Sequence, residues 1–72
     1  MLQYIPVREE LFSPELGTYV SYGIRAVLAS GKEAASVSDV SPDFSFVQRL
    51  ADLCTSEQLS PIHLHDVVED AI

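Results

Sequence analysis

The sequence has 72 residues, a formal net charge of −7 at pH 7, and an apolar content of 47%. This length predicts one small domain with little room for an enclosed active site, so we expect no enzymatic activity. The apolar content is too high for a disordered chain. Only four residues are basic, which disfavours binding to nucleic acid or to an anionic membrane surface.

The cysteine content and the first residues bear on the compartment. Cys54 is the only cysteine, so no disulfide can form within the chain, and we expect a reducing environment. Residues 1–14 lack the basic segment and apolar core of a signal peptide. No apolar run approaches the ~20 residues that a membrane-spanning helix needs. Together these features predict a cytoplasmic protein.

The first predicted strand covers residues 2–11. We expect its core-facing apolar side chains to be Ile5, Val7 and Leu11. The opposite, exposed face would then carry Tyr4, Pro6 and Arg8. Because proline has no N–H donor, Pro6 predicts that this strand lies at an edge of the sheet.

A turn over residues 13–17 precedes the most regular alternation in the chain, at residues 18–28. Successive side chains of a strand point to opposite faces. The predicted inner face reads Val20, Tyr22, Ile24, Ala26 and Leu28. The predicted outer face reads Tyr19, Ser21, Gly23, Arg25 and Val27.

A second turn around Gly31 leads into a short third strand at residues 34–40. We expect Ala35 and Val37 to face inward, and Ser36 and Ser38 to face outward. Short connections favour antiparallel hairpins, so the predicted strand order is 1-2-3.

Two helices are predicted after the strands. For the first, Ser41 is the expected N-cap, Pro42 the first helical residue, and residue 56 or 57 the end. Its apolar stripe is Phe46, Val47, Leu50, Leu53 and Cys54. For the second, Ser60 is the expected cap, and the apolar stripe is Leu64, Val67, Val68 and Ala71. The two helices would cover one face of the sheet, which gives a two-layer α+β fold with topology β-β-β-α-α.

Two surfaces are candidates for interaction. The first is the outer sheet face, because tyrosine and arginine are favoured at protein interfaces; its candidate residues are Tyr4, Tyr19, Arg25 and Val27. The second is the acidic end of the last helix, which could contact a basic partner; its candidate residues are Asp66, Glu69 and Asp70.

The alternative is a metal or small-ligand site at His63, His65 and Glu69. His65 and Glu69 are four residues apart, a spacing at which they can share a helix face. The sequence has no second ligand cluster, and a solvated polar face explains the same pattern. Cys54 falls on an apolar stripe, so we expect a buried and inert thiol rather than a nucleophile.

Three motifs resemble a family of short, uncharacterised proteins from clostridia-like Firmicutes. They are Tyr22-Gly23-Ile24, the segment from Ser38 to Ser41, and the longer segment from Leu59 to Asp70. The family is a domain of unknown function, so the resemblance implies a bacterial and cytoplasmic origin but no activity.

The sequence therefore predicts a small interaction or regulatory module. The expected partner is a protein, which includes a second copy of this chain, and no cofactor is predicted. Regulation of a basic nucleic-acid-binding protein by charge mimicry is a further hypothesis. In that case binding should weaken steeply with salt.

Overall fold

The computed structural model describes all residues from 1 to 72. Three strands come first: β1 (Leu2–Ser13), β2 (Gly17–Leu28) and β3 (Glu33–Ser41). Helix α1 (Phe44–Ser56), a 3-10 turn (Pro61–His63) and helix α2 (Leu64–Ala71) come after them. The strands form one antiparallel sheet in the order β1-β2-β3. The predicted α+β class, strand order and β-β-β-α-α topology are confirmed.

Strands β1 and β2 form a long regular hairpin. Each has 12 residues, and the pairing runs without a shift from Leu2 opposite Leu28 to Ser13 opposite Gly17. The turn covers residues 14–16, and β2 begins at Gly17, whose φ of +72° is one that residues with a side chain rarely adopt. β1 lies at the edge of the sheet, as Pro6 predicted.

The pairing of β2 with β3 is irregular. Tyr22 lies opposite Ser41 and Ile24 lies opposite Val37, so the single residue Gly23 faces a three-residue bulge, 38–40. Within this bulge Asp39 has a φ of +53°. The distortion turns Val40 into the core, where it is 6% exposed.

The face of β1 that points into the core is opposite to the predicted one. Cross-strand partners share a face, and Tyr4 pairs with Ala26, which is fully buried. Tyr4 is only 2% exposed, its N–H donates to Thr55 Oγ1 at 2.8 Å, and its hydroxyl donates to the Leu59 carbonyl. The bulky ring fits because alanine lies beside it.

The residues predicted to face the core from β1 lie on the outer face instead: Ile5, Val7 and Leu11. The reason is that β1 carries apolar side chains at both odd and even positions. A two-residue period therefore cannot decide which set is buried.

On β2 the predicted inner face is correct, but the helices cover only its central part. Ile24 and Ala26 are buried, whereas Val20 and Leu28 near the two ends are 38% and 39% exposed. On β3, Ala35 and Val37 pack against the core as predicted. Short helices cannot span a hairpin of this length.

Helix α1 begins two residues later than predicted. Its N-cap is Asp43, whose carboxylate accepts from the Phe46 N–H at 3.3 Å. Ser41 is held in β3 opposite Tyr22 and instead accepts from the Asp43 N–H at 3.1 Å. The helix ends at Ser56 as predicted, and Val47, Leu50, Ala51 and Cys54 are buried, while Leu53 is 54% exposed.

The second predicted helix is split. Ser60 precedes the 3-10 turn and makes no side-chain capping bond. α2 then has only eight residues. Its buried side chains are Leu64 and Val68, with Val67 half-buried and Ala71 exposed.

Candidate functional site: the outer face of the sheet

Both helices pack on one side of the sheet, and no element covers the other side. We call this uncovered side the outer face. It consists of the odd-numbered side chains of β1 and β2, which include Ile5 and Arg25, together with their neighbours on β3. Its apolar members are all half-buried by their neighbours: Ile5, Val7, Leu11, Tyr19 and Val27. The outer face therefore carries partly accessible apolar side chains that lack a covering layer.

A polar link crosses the whole sheet at the middle of this face. Glu9 on β1 accepts from the Asp39 N–H at 2.8 Å and from Ser38 Oγ at 2.9 and 3.1 Å, both on β3. The carboxylate thus satisfies the backbone of the bulge where β3 leaves its regular pairing with β2.

Glycine at position 23 makes this link feasible. A Cβ on Gly23 would lie 2.5 Å from the Val37 carbonyl oxygen and 3.1 Å from Glu9 Oε1. The distance to the backbone carbonyl is too short for any Cβ, and the distance to Glu9 is tight, so glycine lets Glu9 and the bulge approach over β2.

Tyr19 makes a second link from β2 to the bulge. Its hydroxyl donates to Asp39 Oδ2 at 2.9 Å. This hydrogen bond raises the pKa of Tyr19, and burial and the charges of Asp39 and Glu9 act in the same direction. Tyr19 is consequently neutral and held in one orientation on the outer face.

An open groove of about 200 Å³ lies beside these links. Its lining includes Val7, Glu9, Gly23, Arg25, Glu33 and Ser36, so all strands contribute to it. Arg25 Nε lies 3.1 Å from Glu33 Oε1, and this contact is an ion pair rather than an aligned hydrogen bond. Arg25 and Glu33 side chains are 43% and 49% exposed, so both can reorient toward a bound molecule.

Ser21 is unusual on this face. It is only 1% exposed, and its Oγ has no hydrogen-bond partner in the chain. Ser21 lies opposite Glu9 in the β1–β2 pairing. A buried hydroxyl without a partner costs free energy, so the outer face contains a polar group that its own chain leaves unsatisfied.

The structure brings together three of the predicted interaction residues. Tyr19, Arg25 and Val27 lie on the outer face, on the same side of β2. Tyr4 does not join them, because it is in the core. Burial and the neighbouring Cys54 raise the pKa of Tyr4, which keeps its phenol neutral.

The acidic and histidine residues of the last helix lie elsewhere. Asp66, Glu69 and Asp70 are exposed on α2. His65 Nε2 is 2.8 Å from Glu69 Oε1, while His63 lies in the 3-10 turn. No group of three or more His, Cys, Asp or Glu side chains is arranged to hold a metal ion. The predicted metal set is therefore reduced to the pair His65 and Glu69.

Cys54 is buried, and burial raises the pKa of its thiol. A buried thiol of raised pKa is a poor nucleophile.

No helix of the structure has the length and apolar character needed to cross a membrane.

Sequence patterns placed Ser38 on the outer face but did not reveal the other two polar residues that organise this site, Glu9 and Asp39. One signal was present, because a glycine inside a regular strand marks a bulge or a close approach of backbone. Gly23 gives that signal, but it does not say which side chain crosses it. Only the register of β1 identifies Glu9.

These features define the class: a small α+β domain with an uncovered and internally braced sheet face. The model of the family of unknown function DUF6514 matches residues 1–72, so the chain belongs to that family. The resemblance to a domain of unknown function is thereby confirmed. No curated protein matches the chain, and no solved structure does.

Proposed function

We propose that this protein is a non-enzymatic binding module of the cytoplasm, and that it binds another protein through the outer face. One observation carries the proposal: five half-buried apolar side chains lie on a sheet face that no helix covers. Each of these side chains keeps part of its apolar surface accessible, and accessible apolar surface that lies together on one face marks interaction sites in soluble proteins.

The polar links support the same proposal. Glu9 and Tyr19 fix the bulge of β3 against β1 and β2, so the face is ordered before any partner arrives. A preorganised surface loses less conformational entropy on binding. The expected partner carries both apolar and basic groups, because Glu9, Glu33 and Asp39 lie among the apolar residues and only Arg25 opposes their charge.

Arg25 gives the outer face a polar group that a partner can reach. Its side chain is 43% exposed. Arg25 can exchange its contact with Glu33 for a carboxylate or carbonyl of the partner.

Affinity capture with matched variants tests the proposal. Val27→Asp places a charge on the outer face, whereas Leu53→Asp places the same charge at a 54% exposed position on α1. Tagged wild-type protein and Leu53→Asp should retain one common partner, and Val27→Asp should lose it. Circular dichroism should show that both variants are folded. Equal retention by all three proteins would contradict the proposal.

A further inference from the structure

The edge strand β1 is divided into an occupied and a free part. At its start, the Leu2 N–H donates to Gln58 Oε1 at 3.2 Å and the Leu2 carbonyl accepts from Gln58 Nε2 at 2.9 Å. Tyr4 is bonded to Thr55 in the same way, at 2.8 and 3.3 Å. The side chains of Thr55, in the last turn of α1, and of Gln58, just after it, therefore occupy the edge of the sheet along residues 2–4.

In an antiparallel pair, the backbone N–H and C=O groups of successive residues point alternately toward the partner strand and away from it. This alternation shows which other residues of β1 have backbone groups at the free edge. Residues whose N–H and C=O point away from β2 recur at every second position. The backbone groups of Leu2 and Tyr4 point away from β2. Because the β1–β2 register has no shift, the backbone groups of the following even-numbered residues do the same: Pro6, Arg8, Glu10 and Phe12. The outward backbone groups of Arg8, Glu10 and Phe12 have no partner in the chain. Such an unpaired edge is a template for another strand.

We propose that the free edge of β1 pairs antiparallel with the same edge of a second copy, centred on Glu9, to form a continuous six-stranded sheet. This inference concerns the edge of the sheet and does not depend on which molecule binds the outer face. The occupant is a second copy because the edge is complementary to itself in one register only.

In the register centred on Glu9, the opposed pairs on either side of the centre are complementary. Arg8 and Glu10 contact each other within the single chain, at 3.2 Å. In the dimer Arg8 lies opposite Glu10 of the second copy, and Glu10 opposite its Arg8, so the contact within each chain can be exchanged for two reciprocal ion pairs between the copies. On the outer face Val7 lies opposite Leu11, and on the inner face Phe12 lies opposite Pro6. Phe12 is 73% exposed in the single chain, so this pairing would cover an otherwise solvated ring.

The neighbouring registers are unfavourable. Pairing centred on Arg8 sets the two arginines against each other, and pairing centred on Glu10 sets two glutamates against each other. Like charges directly opposite on neighbouring strands are destabilising. Charge therefore selects the register centred on Glu9.

The length of the free edge selects the same centre. Thr55 and Gln58 occupy the edge up to Tyr4, and the hairpin turn begins after Ser13. With Glu9 at the centre, Tyr4 faces position 14 of the second copy, where β1 has ended and the turn begins. The partner strand thus ends where the occupied stretch starts.

The opposition of the two Glu9 side chains does not prevent this pairing. Each Glu9 carboxylate is turned toward β3 by its bonds to Ser38 and Asp39, away from the β1 edge. Pro6 lacks an N–H, but its carbonyl still accepts from the Phe12 N–H of the second copy. The paired stretch is short, so the dimer is expected to be weak and concentration-dependent.

Charge reversal tests the proposal. Wild-type protein should show a monomer–dimer equilibrium in sedimentation equilibrium. Arg8→Glu and Glu10→Arg should each weaken self-association by about tenfold or more, because each turns two ion pairs into two repulsions. An equimolar mixture of the two variants should dimerise, since the charges opposed at these two positions are then of opposite sign. The double variant should also recover the dimer.

Controls separate this dimer from one formed by the outer face. Val27→Asp should dimerise as wild type does, because Val27 pairs with Gln3 and lies away from the free edge. Hydrogen exchange at the Arg8, Glu10 and Phe12 amides should slow as protein concentration rises. A wild type that is monomeric at every concentration, or a mixture that fails to dimerise, would overturn the proposal. A dimer lost only in Val27→Asp would also overturn it.

Discussion

The two faces of the sheet are stabilised by different means. The inner face is an apolar core, in which Ile24, Val47 and Leu64 are at most 1% exposed between the sheet and the helices. The outer face has no second layer, and polar links across the strands hold it: Glu9 to the bulge and Tyr19 to Asp39. The comparison indicates that apolar burial on the inner face provides the core of the fold, while polar links order an outer face that no layer covers.

The largest loss of stability is expected from a substitution in the inner face. Leu64→Ala removes a side chain that is 1% exposed, and should lower the free energy of unfolding by about 2–5 kcal/mol. That is a large part of the roughly 5–15 kcal/mol typical of a domain. Ile62→Ala, at an 81% exposed position two residues away, is the matched control. Urea denaturation measures both, and similar midpoints for the two variants would contradict the core assignment.

A smaller loss of stability is expected from a substitution at Gly23, where the link from Glu9 to the bulge passes over β2. Gly23→Ala places a Cβ 2.5 Å from the Val37 carbonyl oxygen, so backbone must move. We expect a loss of about 1–3 kcal/mol, the usual cost of inserting a methyl group where there is no space. Ser36→Ala, exposed on the neighbouring strand, should change stability by less than about 0.5 kcal/mol.

Thermal unfolding followed by circular dichroism compares Gly23→Ala with Ser36→Ala. In the glycine variant, the NMR resonance of the Asp39 amide should also shift, because Glu9 can no longer approach it in the same way. A Gly23→Ala protein as stable as wild type would show that the close approach over β2 is not needed.

Alkaline pH acts on both faces. The folded structure raises the pKa of Tyr4, Tyr19 and Cys54 above their ordinary values of 10.0, 10.0 and 9.0. The unfolded chain therefore loses these protons first. The stabilisation is complete below about pH 9 and falls as the pH rises through 9–10 and beyond. As far as these groups determine it, the melting temperature should be flat between about pH 7 and 8.5 and should decrease above about pH 9.

Two variants show how much each face contributes to the decrease in melting temperature at alkaline pH. Tyr19→Phe should reduce the alkaline loss from the outer face, and Cys54→Ala should reduce the loss from the core. The melting temperature as a function of pH is the measurement for both. If the melting temperature decreased above about pH 9 in both variants as it does in wild type, the assigned causes would be contradicted.

The smallest effect sharpens the description of the outer face. Tyr19→Phe removes the hydroxyl that donates to Asp39 Oδ2. Because this hydrogen bond is exposed, we expect a loss of stability in neutral solution that is smaller than that of Gly23→Ala. The bulge is anchored separately by Glu9, so the fold should persist. Partner capture should nevertheless fall, since the ring is no longer fixed in its orientation.

Sequence patterns predicted the inner face better than the outer one. The alternation of β2 identified Ile24 and Ala26 as core, and Pro6 identified β1 as an edge, because each inference needs only local geometry. The orientation of β1 could not be predicted, since both Tyr4 and Ile5 begin plausible apolar faces. The pairing with Ala26, which is a tertiary feature, decides it.

The outer face depends on contacts between residues far apart in the chain. Glu9 meets Ser38 and Asp39 only because β1 and β3 lie on either side of Gly23, and because β3 bulges there. No local period carries that information. The start of α1 was displaced for a similar reason, since the pairing of Ser41 with Tyr22 keeps it in the sheet.

Site-specific photo-crosslinking in the native host is the sharpest test of whether the outer face binds another protein. A photoreactive residue at Val27 reports on the outer face, and one at Asp52, exposed on α1, is the control. If the outer face is a binding surface, position 27 should give a discrete crosslinked species and position 52 none of comparable yield. Equal crosslinking at both positions, or none at position 27, would contradict a binding role for the outer face.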